Sequence, residues 1–143
     1  MFKGEYSHSI DAKGRLIIPS KFREILGNEF VVTKGFDGCL FVFANEGWEQ
    51  FEAKLQALPL DKPEARQLGR FFIAGAIDAE VDKQGRILLP DNLLTYAGIE
   101  KEAVVAGVGN RAEIWSSSRW TDNTTFEDIN GIAAKMSEWG LSI

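Results

Sequence analysis

Apolar residues along the chain fall into short runs cut by turn residues, and between the runs the spacing changes to three and four. Leu16-Ile17-Ile18 and Ile87-Leu88-Leu89 are unbroken aliphatic triplets, each following an Arg and closed by a Pro. Runs of that length bounded by Gly and Pro read as strands, and with no polar residue between them they are expected to be covered on both faces. Phe30 to Lys34 and Cys39 to Phe43 read as two further strands joined at Gly35-Phe36-Asp37-Gly38, a hairpin turn. Val104 to Gly107 and Ala112 to Trp115 repeat that pattern around Gly109-Asn110.

Helical spacing fills the intervals. Ser20 to Leu26 predicts a short helix with Phe22, Ile25 and Leu26 inward and Lys21, Arg23 and Glu24 outward. Trp48, Phe51, Leu55 and Leu58 predict an amphipathic helix, capped by Asn45. Glu64 to Phe72 predicts another, with Arg66 and Arg70 on one face. Asp91 is placed to cap the helix after Pro90, and Ser116-Ser117-Ser118 leads into one that contains Trp120. In the tail, Phe126 to Leu141, Ile129, Ile132, Ala133, Met136 and Trp139 recur at helical spacing. Such a helix is expected to dock, on its own domain in the simpler reading or on a neighbouring subunit in the other.

The pattern occurs twice. Asp11-Ala12-Lys13-Gly14-Arg15-Leu16-Ile17-Ile18-Pro19 returns 71 residues later as Asp82-Lys83-Gln84-Gly85-Arg86-Ile87-Leu88-Leu89-Pro90. In each copy Asp opens a turn through its side-chain oxygen, and Gly14 or Gly85 supplies a positive φ. Pro then ends the strand and suits the first turn of a helix. Gly4 and Gly75, Gly27 and Gly98, Gly35 and Gly107, and Trp48 and Trp120 extend the correspondence. The units expected are 1–58, a connection 59–72, 73–125 and a terminal helix 126–143. At 143 residues, 45% of them hydrophobic, the chain can bury one substantial core.

Charge refines the picture. The net charge is −5, which argues against a polyanion as partner. Yet residues 1–23 hold five bases (Lys3, Lys13, Arg15, Lys21, Arg23) against Glu5 and Asp11. Screening limits the reach of distant acids to about 8–10 Å, so a basic face on an acidic body can still grip phosphate. One His (His8) and one Cys (Cys39) cannot build a metal site, and no cofactor is expected. There is no phosphate loop, dinucleotide fingerprint or supported nucleophile set, so the chain is not expected to be an enzyme. Cys39 reads as a packed strand residue in a reducing compartment. No apolar stretch has membrane-spanning length and the start, Met1-Phe2-Lys3-Gly4, lacks a signal-peptide core. The expectation is a cytoplasmic protein with no membrane partner.

At Asp11–Arg15 and Asp82–Arg86 the chain resembles the MraZ family of bacterial regulators. That family carries two Asp-x-x-x-Arg motifs in tandem, each in a unit like the DNA-binding halves of AbrB and SpoVT. The start Met1-Phe2-Lys3-Gly4 is also similar to the family, and the resemblance runs from Phe2 to about Trp139. It implies an α+β fold, a pseudo-two-fold swapped-hairpin β-barrel of the double-psi or AbrB-like kind with peripheral helices. It implies ring homo-oligomers that bind repeated elements in double-stranded promoter DNA ahead of the division and cell-wall gene cluster, regulate its transcription and associate with the nucleoid. Carried onto this sequence, Lys13, Arg15, Lys83 and Arg86 are expected to contact DNA from exposed hairpins held by Asp11, Gly14, Asp82 and Gly85. Arginine is the side chain that reads guanine bidentately and grips phosphate. Lys3, Lys21 and Arg23 are expected to add phosphate contacts that position without specifying. Each Asp–Arg pair can also be an ion pair that merely closes its hairpin. A protein-interaction module with its basic loops facing an acidic protein, as in an antitoxin or scaffold, is the competing reading.

Overall fold

A computed structural model describes residues 1–142; residue 143, the last of the expected tail segment, lies outside them. The class is α+β with antiparallel sheets. The first copy of the repeat gives β1 (Phe2–Ser9), β2 (Arg15–Ile17), α1 (Ser20–Leu26), β3 (Glu29–Lys34), β4 (Leu40–Phe43) and α2 (Asn45–Gln56). A connecting α3 (Pro63–Gly69) follows, running into a π-type turn over Arg70–Ala74. The second copy gives β5 (Ile77–Glu80), β6 (Arg86–Leu88), α4 (Asp91–Ala97), β7 (Glu102–Gly109), β8 (Ala112–Ser116) and α5 (Ser117–Asn123), and α6 (Ile129–Ala133) lies in the tail.

Pairing mixes the copies. The larger sheet has the order β1-β7-β8-β4-β3-β5, and the smaller is β2-β6. Read from either edge, the larger sheet lists the first strand of one copy, the third and fourth of the other, then the mirror image. Each copy's first strand therefore pairs with the other copy's third, β1 with β7 and β5 with β3. The second strands pair with each other. Neither half could complete its own sheet, so the chain folds as one unit around a shared core. That core joins Leu16, Ile18, Phe22 and Leu26 to Ile87, Leu89, Leu93 and Ala97, the same positions in each copy. A second cluster, with Phe41, Phe43, Trp48, Phe72 and Trp115, packs under α2 and the π-type turn. Its rings meet mostly edge to face, as Phe51 and Phe72 do at 5.0 Å. Cys39 is buried within this cluster, where desolvation raises the pKa of its thiol and keeps it protonated.

Several expectations are corrected. The aliphatic triplets are covered on one face only: Leu16, Ile18, Ile87 and Leu89 are buried, whereas Ile17 is 40% and Leu88 59% exposed. Ile25, expected inward, is exposed because a seven-residue helix buries only a narrow stripe. Asn45 and Asp91 stand inside their helices, not at the caps; Ala44 and Pro90 hold those positions with no side-chain bond. The Asn45 amide instead donates to the Glu29 carbonyl at 3.2 Å. Leu58 lies past the end of α2, and the expected helix from Glu64 to Phe72 changes to the π-type turn at Arg70. The described part of the tail does not dock on its own domain. It breaks into α6 and a 3-10 turn over Met136–Trp139, and Phe126, Ile129, Ile132, Trp139 and Leu141 are exposed.

Candidate nucleic-acid interface

The repeated motif builds two matching hairpin turns. In the first, Asp11 Oδ1 accepts from the backbone N–H of Lys13 at 3.0 Å and of Arg15 at 2.8 Å. Its Oδ2 takes Arg15 Nε at 2.6 Å. In the second, Asp82 Oδ1 accepts from Gln84 N and Arg86 N, each at 2.9 Å, and Oδ2 takes Arg86 Nε at 2.9 Å. One carboxylate thus closes the turn and fixes the arginine that leaves it. Both carboxyls are held below the usual carboxylate value, first by the backbone N–H of Arg15 or Arg86 and then, against some desolvation, by the guanidinium itself. Gly14 and Gly85 have φ of 84° and 81°, as the turn requires.

The two turns meet on one ribbon. β2 and β6 pair antiparallel, Arg15 opposite Leu88, Leu16 opposite Ile87 and Ile17 opposite Arg86. Ile18 N donates to Gly85 O and Leu89 N to Gly14 O, each at 2.9 Å, so each strand ends on the other's turn. Alternation sends Leu16 and Ile87 into the core and leaves Arg15, Ile17, Arg86 and Leu88 on the outer face. Arg86 Nη1 also lies 3.8 Å from Asp11 Oδ2, linking the motifs. Among the described residues neither Nη of Arg15 makes a hydrogen bond, so the planar end of that guanidinium is open to a further acceptor.

The remaining basic residues are placed differently. Lys13 and Lys83 stand exposed at the two tips. Lys21 lies on α1, and with His8, Ile17 and Arg23 it lines a hollow of about 310 Å³ beside the ribbon. Lys3 is exposed on β1, opposite Val108. Arg23 is drawn inward: its Nε donates to Ile18 O at 3.1 Å, and its guanidinium covers Gly85, where an added Cβ would lie 2.9 Å from Cζ. Leu94, at the corresponding place in the second copy, covers Gly14 in the same way. Sequence reasoning missed Ile17 and Leu88 as members of the outer face. The signal was the adjoining arginine, because residues two apart on a strand share a face.

Among the described residues no group of His, Cys, Asp and Glu could hold a metal ion, and no helix is long and apolar enough to cross a membrane.

A family model described as "MraZ protein, putative antitoxin-like" matches residues 1–71 and 72–133. The chain is 58% identical over 142 residues to the "Transcriptional regulator MraZ" of Lachnoclostridium phytofermentans, covering 99% of each. It is 52% identical to the protein of that name from Acetivibrio thermocellus and 53% identical to that from Ligilactobacillus salivarius, in each case over 99% of this chain and 100% of the relative.

Proposed function

The chain belongs to the MraZ family, and from that premise we propose that it is a transcriptional regulator whose β2–β6 ribbon binds promoter DNA. The observation that carries the reading is the convergence of both Asp–Arg turns on one exposed, two-stranded ribbon. The major groove, about 12 Å wide, admits such a ribbon. In this reading Arg15 and Arg86 contact bases, each spending Nε on its own Asp. Lys13 and Lys83 at the tips, with Lys21 on α1 and Lys3 on β1, supply phosphate contacts. Arg23 acts first as a positioning residue for the Gly85 turn.

Finer points of the reading follow the family. The exchange of first strands between the copies supports a pseudo-two-fold swapped-hairpin architecture with units 1–58, 59–72, 73–125 and 126–143. The targets are repeated elements ahead of the division and cell-wall genes, bound by a ring of copies, in the cytoplasm and on the nucleoid. A ring raises the effective concentration of each further contact, which an acidic chain with a small basic face needs. Contacts on one face of the duplex call for repeats near one helical turn apart, about 10 base pairs.

The test is titration of a labelled fragment from upstream of the gene against random DNA, for the wild type and for Arg15→Ala and Arg86→Ala. Each substitution should cost about 1–3 kcal/mol, roughly 5- to 150-fold, with the fold intact. Affinity for the promoter unchanged from the wild type in both variants refutes the base-reading role. The "antitoxin-like" part of the family description favours a second reading, in which the ribbon faces an acidic protein; equal binding of promoter and random DNA would support it.

A further inference from the structure

Two apolar features of the molecule have no partner among the described residues of the chain, and their charges are opposite. The first is the tail beyond α5. Ile129, Ile132 and Met136 follow at intervals of three and four, the spacing of one helical face. Of these, Ile129 and Ile132 are exposed, and Trp139, close behind them, is 68% exposed. The same tail carries three acids, Glu127, Asp128 and Glu138, against one base, Lys135.

The second feature is a groove of about 590 Å³ between α2 and the α3–π-turn segment. Its floor is apolar, with Leu55, Leu58, Leu60 and Ile73, and two arginines, Arg66 and Arg70, line it. Arg66 spends one Nη on the Leu60 carbonyl at 3.0 Å, which pins it at the rim. Neither arginine has an ion-pair partner among the described residues. No described tail residue lines the groove of its own chain. The adjoining hollow on α3, about 670 Å³, carries Asp37 and Glu64 and would repel an acidic segment.

We propose that the C-terminal tail of one copy docks in the α2–α3 groove of a second copy. Ile129, Ile132 and Trp139 enter the apolar floor, and Glu127, Asp128 or Glu138 pairs with Arg66 and Arg70. This is helix-in-groove recognition, with anchors at helical spacing and charge complementarity setting the orientation. The contact is heterologous, since tail and groove are different surfaces. Each copy offers one of each, so repetition closes a ring or extends a filament. The inference deepens the assembly part of the proposed function and rests on it.

The experiment uses two full-length variants and solution mass by light scattering, without DNA. The tail variant is Ile129→Asp with Ile132→Asp; the groove variant is Arg66→Glu with Arg70→Glu. All four positions are exposed, so the fold is preserved. The wild type should assemble, and each variant alone should lose assembly by at least tenfold in concentration. Mixed together, they should form a one-to-one pair and nothing larger, because only one intact tail and one intact groove remain. Glu127→Lys with Asp128→Lys, added to the groove variant, should restore assembly. Either variant assembling like the wild type, or a mixture that stays monomeric, overturns the tail–groove contact while leaving DNA recognition standing. A monomeric wild type overturns this contact and the ring together, and binding to a single promoter repeat then reports separately on the ribbon.

Discussion

The two motif glycines share a conformation but differ in what surrounds them, and that difference is measurable. Replacing either by Ala places a Cβ in the left-handed region, at φ 84° for Gly14 and 81° for Gly85. That strain costs about 1–2 kcal/mol, offset by about 0.4–1 kcal/mol from the stiffer unfolded chain. A Cβ on Gly14 would lie 2.9 Å from the Leu89 carbonyl oxygen and 3.3 Å from Leu94 Cδ1. The first of these is backbone, and Leu89 also donates its N–H to Gly14 O at 2.9 Å. Relief therefore has to part the strands, an overpacking cost of about 1–3 kcal/mol. On Gly85 the three atoms nearest the same Cβ all belong to the guanidinium of Arg23, the closest being Cζ at 2.9 Å. That side chain can swing away, losing one partly exposed bond to Ile18 O worth about 1 kcal/mol. The expected costs are about 2–4 kcal/mol for Gly14→Ala and about 1–2 kcal/mol for Gly85→Ala, read by urea denaturation at unchanged m-value. In an Arg23→Leu background the Gly85→Ala cost should change while that of Gly14→Ala stays fixed. A cost for Gly85→Ala equal to or above that for Gly14→Ala, or strict additivity of Gly85→Ala with Arg23→Leu, would refute this account of the turns.

Because Asp11 and Asp82 have folded pKa values below the usual 3.8, their contribution to stability is complete above that value and is lost as pH falls through the depressed one. The difference in melting temperature between the wild type and Asp11→Asn with Asp82→Asn should be constant above about pH 5 and close only below about pH 4; a gap that closes instead near neutral pH would refute this reading. Arg23→Leu installs the residue that the second copy uses, so it should cost no more than about 1 kcal/mol. The salt slope of DNA binding should stay within the error of the wild type, whereas Lys21→Ala should lower it by about 0.9 if Lys21 contacts one phosphate. A fall of that size for Arg23→Leu would make Arg23 a phosphate contact.

The local structure was legible because its chemistry is local. Asp, Gly, Arg and Pro at fixed offsets encode the turn, its positive φ and the end of the strand, and the structure shows all of these. The exposure of Ile17 and Leu88 was missed because the apolar run itself carries no mark of which face is covered; the mark lies outside the run, in the arginine two residues before each. Here the single layer beneath the ribbon covers Leu16, Ile18, Ile87 and Leu89 and leaves Ile17 and Leu88 bare. The seat of Arg23 on Gly85 depends on β2 pairing with β6, a contact between residues far apart in sequence. A signal existed, since the exchange of Arg23 for Leu94 at matched positions follows what each must cover. The tail misled for a different reason. Helical spacing shows that a face wants a partner, but not that the partner belongs to the same chain.

The symmetry of the ribbon is imperfect in a way that bears on what it can bind. Arg86 reaches toward Asp11 at 3.8 Å, and among the described residues no matching contact joins Arg15 to Asp82. The Gly85 turn is flanked by Arg23, with Lys21 nearby on α1; the Gly14 turn is flanked by Leu94, with Asn92 in place of that lysine. One end of the ribbon therefore presents more positive charge than the other, although both ends present the same Asp–Arg turn. An exact two-fold ribbon would bind a duplex equally well in either direction and would favour palindromic sites. A ribbon with a charged and an apolar flank has a direction, and phosphate contacts on one flank fix it. Copies related by rotation in a head-to-tail ring all point the same way along the ring. They would then read elements repeated in the same orientation, which makes inversion of one element of a repeated site, at constant spacing, more damaging to binding than the same change would be for a symmetric dimer.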